Sequence, residues 1–140
     1  MIQLDHLTKR FGAFTAVDDL CLQIAPGEIF GFLGPNGAGK TTTIRMMMGL
    51  LKPTAGRVLL GGYDLALEPL TAKAMSAFVP DRPYVYEKLT GREFLSFVGG
   101  LYQVPLRVCQ ERVAASLQFF SLAEWGDELV ESYSHGMKQR

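Results

Sequence analysis

The sequence has no apolar run near the roughly 20 residues that cross a bilayer; its longest apolar patches are short, such as "IFGFLG" and "MMMGLL". No membrane span is expected. It has only two cysteines, Cys21 and Cys109, at no metal-binding spacing. That excludes a disulfide framework and predicts reduced, partly buried thiols. Charge of one sign is lacking too: 14 Lys and Arg offset 14 Asp and Glu without long blocks. With no single-sign field, no nucleic-acid partner is expected. Low-complexity tracts and internal repeats are missing, and with 48% apolar and 20% charged residues the composition is that of a globular chain. Met1 is followed by polar, alternating residues rather than an apolar leader, which predicts a chain that stays in the cytosol. At 140 residues it has the size of one domain, or part of one.

The alternation in "IQLDHLT" and "LCLQI" predicts an antiparallel strand pair over residues 2–8 and 20–24, with Gly12 in the turn region and "PGE" closing the second strand. Ile29 to Leu33 is almost wholly apolar and enters a glycine-rich loop, the pattern of a strand buried on both faces. A helix is expected from Lys40, ended by Gly49 or the "KPTAG" stretch, and then a strand with a Gly61-Gly62 turn in "RVLLGGYDL". From about Leu89 the period changes to that of helices. Thr90 and Glu93 read as a capping box, with Leu89 and Phe94 as its hydrophobic staple. They open a helix over 91–102 whose face carries Phe94, Phe97, Val98 and Leu101. Gly99 and Gly100 predict a kink or a close helix contact. A second helix follows Pro105, with Val113, Leu117 and Phe120 as its core stripe.

"GPNGAGKT" fits G-x-x-x-x-G-K-[ST] at Gly34, Gly39, Lys40 and Thr41, between a predicted strand and a predicted helix. Pro35, Asn36, Gly37, Ala38 and Thr42 complete the loop. Its glycines let backbone N–H groups converge on phosphate oxygens, and the helix N-terminus adds its positive dipole end. Lys40 supplies a cation, and the Thr41 hydroxyl is a hard oxygen ligand for magnesium.

With this loop in place, the chain resembles the ATP-binding subunit of an ABC transporter, of the bacterial exporter type, from Met1 to Arg140. The resemblance implies an α/β fold: a P-loop NTPase core with an N-terminal antiparallel β segment and a helical subdomain. Residues 1–80 would form a partial ATP-binding core containing the Walker A loop. Residues 81–140 would hold the Q-loop and the helical subdomain, ending at the signature motif. ATP and Mg2+ are the implied cofactors. Phe11, in "KRFG", sits where the family stacks an aromatic on adenine, and Val17 where it packs against the nucleoside. By itself Phe11 also reads as a packed aromatic near a turn. Asp81, in "AFVPDRP", takes the place of the Q-loop glutamine and is either a magnesium ligand or a solvated turn residue beside Arg82. Tyr84 and Tyr86 lie where the family docks its membrane subunit, and burial within the helical subdomain is the alternative.

"YSHGM", Tyr133 to Met137, resembles the signature Leu-Ser-Gly-Gly-Gln and matches it at Ser134 and Gly136. Ser134 also reads as a helix N-cap. The resemblance implies that Ser134 and Gly136 touch the γ-phosphate bound by a second ATP-binding subunit in a head-to-tail dimer. It also implies an integral membrane permease as partner, and a peripheral place at the cytoplasmic face of the cell membrane.

In the family a magnesium-holding Asp, a water-activating Glu and a switch His follow the signature, and the sequence contains none of them. His6 and His135 are not assigned as bases, so the general base is expected outside these residues. The expectation is a piece of a longer ATPase that binds nucleotide better than it hydrolyses it, its C-terminal core missing and the P-loop strand left as an unpaired apolar edge. The rival readings are an ABC-type ATPase acting in translation or repair, and a non-hydrolysing nucleotide-binding module.

Overall fold

Leu4 and Leu7 lie three positions apart, a spacing that a regular pleat would send to opposite faces. Yet in the computed structural model, which describes residues 1–80 and 84–140, they are 2% and 0% exposed. A β-bulge resolves the conflict. In β1 (Ile2–Phe11) and β2 (Phe14–Ile24), Leu4 pairs with Leu22 and Leu7 with Leu20, so Asp5 and His6 together oppose Cys21. The extra residue is absorbed at His6, whose φ is 49°, and both leucines face the core. A second irregularity follows on β2: between the Leu7–Leu20 and Lys9–Val17 pairs, Asp18 and Asp19 oppose Thr8.

The chain forms two compact units, Met1–Phe78 and Val79–Arg140. In the first, β1 lies between β2 and β3 (Ala55–Leu60), and β4 (Tyr63–Asp64) closes a four-stranded antiparallel sheet of order β2-β1-β3-β4. Helices α1 (Lys40–Met47) and α2 (Pro69–Ala74) complete the unit. Its core joins Leu4, Leu7, Val17, Val58 and Leu60 of the sheet to Met46 and Ala72 of the helices. Burying one side chain such as Met46 contributes about 1.5–3 kcal/mol. Gly49, with φ 63°, ends α1.

The second unit is helical, with α3 (Gly91–Leu101), α4 (Leu106–Phe119) and α5 (His135–Gln139). Thr90 and Glu93 make both bonds of the expected capping box. Of the adjacent Gly99 and Gly100 of α3, only Gly99 serves a close contact; nothing lies within 4 Å of a Cβ on Gly100. A Cβ on Gly99 would overlap the Cys109 Sγ of α4, so no larger residue fits there without movement. Cys109, Val113, Leu117 and Leu122 form this unit's core, with Leu95, Val104 and Met137 against it.

Three expectations are corrected. Ile29 to Leu33 forms no strand: residues 28–35 have no regular structure, and Ile29 and Leu33 are almost wholly exposed. A strand exists by pairing, and the ladder β2-β1-β3-β4 gives this run no neighbour. Phe120 is exposed rather than packed in a core stripe, and Phe97 and Leu101 on the shared face of α3 are exposed as well, because helical periodicity says which residues share a face and not what covers it. Of the cysteines, only Cys109 is buried; Cys21, opposite the bulge, is exposed.

Candidate nucleotide-binding site

The glycine-rich loop leads directly into α1, and its last glycine allows the approach. Gly39 is the N-cap, held at φ 82° where L-residues are strained, and a Cβ there would clash with the Ala16 carbonyl and lie 3.1 Å from Val17 Cγ2. Val17 thus supports the loop from below. It is a core residue, 8% exposed, whose Cγ2 would crowd any Cβ at Gly39.

No side chain caps α1, so the N–H groups of its first turn, at Lys40, Thr41 and Thr42, point out of the helix without intrahelical partners. Thr43, the next residue, already donates to the Gly39 carbonyl at 2.8 Å and is buried. The loop before it is open: Pro35, Asn36, Gly37 and Ala38 are exposed, and nothing lies within 4 Å of a Cβ built on Gly37. Lys40 turns its ammonium back into this loop and donates to the carbonyls of Gly34, at 2.5 Å, and Pro35, at 2.7 Å. Both acceptors are neutral. Its charge is uncompensated by them and is held at the mouth of a set of free N–H donors, an arrangement that favours an anion. Thr41, beside it on the first turn, is exposed.

Phe11 ends β1 at the hairpin and pairs with Phe14; its ring is half exposed. The Lys9 ammonium stands 5.1 Å from the ring centroid and is anchored by a 2.7 Å bond to the Lys52 carbonyl. Lys9 was not singled out in the sequence. The signal was available, since residues i and i+2 share one face of a strand.

Within the second unit, Ser134 is the N-cap of α5 and accepts a bond from the Met137 N–H at 3.3 Å. A Cβ on Gly136 would meet nothing within 4 Å, so the backbone there is open to approach. Tyr133, in contrast, is buried and donates its hydroxyl to the Trp125 carbonyl at 2.5 Å. Burial, with the charges of Asp127 and Glu128, holds its pKa above the ordinary phenol value. Tyr84 is almost wholly exposed, while Tyr86 packs edge-on against Phe94 and Phe97, so the two tyrosines are not equivalent. Asp81 lies outside the described residues.

An open glycine-rich loop, a helix N-terminus and an inward lysine in an α/β protein are an arrangement that suits a phosphate group. The class can be named more closely: the family model for ABC transporters matches residues 17–140, and the chain belongs to that family, in the region of its ATP-binding domain. It is 37% identical to the linearmycin resistance ATP-binding protein LnrL of Bacillus subtilis, over 100% of the chain and 45% of that protein. It is 39% identical to the Nod factor export ATP-binding protein I of Paraburkholderia xenovorans, over 99% of the chain and 46% of that protein. A solved ATP-binding subunit of an ABC transporter superposes with a TM-score of 0.91 at 31% identity, over 99% of this chain and 58% of that one. The chain therefore spans about half the length of the curated relatives it matches. Among the described residues no helix is long and apolar enough to cross a membrane.

Proposed function

We propose that the chain binds Mg-ATP in the loop from Gly34 to Thr42, as the nucleotide-holding part of an exporter-type subunit that drives a separate membrane permease. The observation that carries this reading is the Lys40 ammonium, placed by neutral carbonyls at the mouth of an open loop whose first-turn N–H groups have no partners within the helix. The donor set suits a polyphosphate. Backbone N–H groups and Lys40 would take the β- and γ-phosphate oxygens, the Thr41 hydroxyl would hold magnesium, and the half-exposed Phe11 ring would stack on the base. Bound magnesium would neutralise charge developing on the phosphates. Asp81, in the Q-loop position, would be a further oxygen ligand for the same ion.

Residues 1–80 act in this reading as the ATP-binding core, and 81–140 as the helical subdomain that meets partners. Tyr84, almost wholly exposed, suits an aromatic anchor for the permease at the cytoplasmic face of the membrane. Ser134 and Gly136 would complete the site of a second subunit in a head-to-tail dimer, with the open backbone at Gly136 allowing a phosphate to come close. Hydrolysis belongs to the whole protein. None of the loop residues is a general base, so here they bind and orient.

In the full-length protein, Ser134→Ala is expected to leave ATP affinity of the isolated subunit unchanged and to reduce ATP-driven dimerisation, followed by size-exclusion chromatography with light scattering. Equal loss in both measurements would remove Ser134 from the partner's site.

A further inference from the structure

The bulge that buries Leu4 and Leu7 has a chemical consequence on the opposite face of the sheet. Two residues, Asp5 and His6, face one residue, Cys21, so a carboxylate, an imidazole and a thiol are delivered to the same outward patch. One ligand atom from each can be chosen so that all three lie within 4.8 Å of one another. We propose that Asp5, His6 and Cys21 form a binding site for a divalent cation of the zinc class, with Asp19 and Arg57 as positioning residues.

The donor set is mixed, with one hard oxygen, one imidazole nitrogen and one sulfur, which suits a borderline metal such as zinc rather than magnesium or calcium. Tetrahedral ligands about 2.0–2.3 Å from zinc stand roughly 3.3–3.7 Å apart. His6 Nε2 and Asp5 Oδ1 are already 3.9 Å apart. Closing the set on an ion needs side-chain adjustments of about an ångström and leaves the fourth position for water.

The surroundings of the three ligands are arranged for this. His6 Nδ1 is 2.7 Å from Asp19 Oδ1, so the Nδ1–H tautomer donates to Asp19 and leaves the Nε2 lone pair free on the side of Asp5. A carboxylate behind a histidine is the usual way a metal-binding imidazole is oriented. Asp19 is itself set by the second irregularity: its φ is 49°, and its N–H donates to the nearly buried Thr8 hydroxyl at 3.0 Å. Arg57 of β3 donates to Asp5 Oδ2 at 2.8 Å and leaves Oδ1 available. The Cys21 sulfur accepts the His6 backbone N–H at 3.4 Å, which holds it beside the bulge. On binding, the Sγ–H proton leaves to solvent as the metal–sulfur bond forms. The ion would then clamp β1 to β2 at the bulge, on the strand that presents Phe11 five residues later.

Cobalt(II), titrated into the chain as an optical stand-in for zinc, tests this. The expected result is a near-ultraviolet thiolate-to-cobalt band that saturates at one ion per chain and is displaced by zinc. It should be lost in Cys21→Ser and kept in Cys109→Ser. Asp19→Asn, which removes a positioning residue and no ligand, should weaken cobalt binding by about 10–100-fold. No band in a chain that retains its circular dichroism and melting transition would overturn the site. So would a band that survives Cys21→Ser, or saturation at one ion per two chains.

Discussion

Gly91, the first residue of α3, shows how a single hydrogen atom fixes a local arrangement. A Cβ there would stand closer to the Tyr133 hydroxyl than any real contact allows, and that hydroxyl is pinned by its bond to the Trp125 carbonyl. The ring is buried and packs edge-on against Trp125, so Gly91→Ala is expected to destabilise the helical unit by about 1–3 kcal/mol. Tyr133→Phe in the same background removes both the clash and the bond and should recover part of the loss. Chemical denaturation of the two variants checks this, and additive losses would contradict it. At this scale the sequence displayed the glycine-rich loop residue by residue, because its glycines and lysine fall within one short stretch. The contact of Gly91 with Tyr133 was not visible, since 42 positions separate them and nothing local marks the pair.

Among the elements, the segment before α3 is fastened to the residues around α5. Glu131 donates its N–H to the Glu87 carbonyl at 3.0 Å, Val130 donates to Leu89, and the Lys88 and Lys138 ammoniums pair with Glu131 and Glu87. The hydrogen bond from Lys138, and then its charge, hold the Glu87 carboxyl below the ordinary carboxylate pKa. The folded state therefore binds the proton less readily than the unfolded one. The contribution of this pair is present above the unfolded value, near 4.5, and is lost as pH falls through the lowered folded value. Comparison of the chain with Lys138→Met by thermal melting is expected to show a stability difference near neutral pH that shrinks between about pH 5 and 3. A difference independent of pH would mean that Lys138 acts by packing alone. Helices α1, α3 and α4 were legible because their signals are local: a glycine stop, a capping box, a proline start. Ile29 to Leu33 was misread because an apolar run states an appetite for burial, whereas a strand needs a partner that this sheet does not supply. The bulge at Asp5 and His6 was written in the odd Leu4–Leu7 spacing, and it needed the second strand to be seen.

For the whole molecule, the apolar run that forms no strand is the main liability. Ile29 and Leu33 are almost wholly exposed, and Phe30 is 42% exposed, within five residues of strand-prone sequence. The chain is expected to self-associate at micromolar concentration in sedimentation velocity, and Ile29→Lys with Leu33→Lys to shift it towards monomer. A monomeric wild type would show that this run is harmless. The central claim is nucleotide binding through the loop, and calorimetric titration of the chain with Mg-ATP, beside Lys40→Ala, tests it most directly. Saturable binding to the wild type, weakened at least about tenfold, or 1.4 kcal/mol, in a folded Lys40→Ala, is the predicted result. Equal affinity in the two folded proteins would contradict it and place any nucleotide site elsewhere.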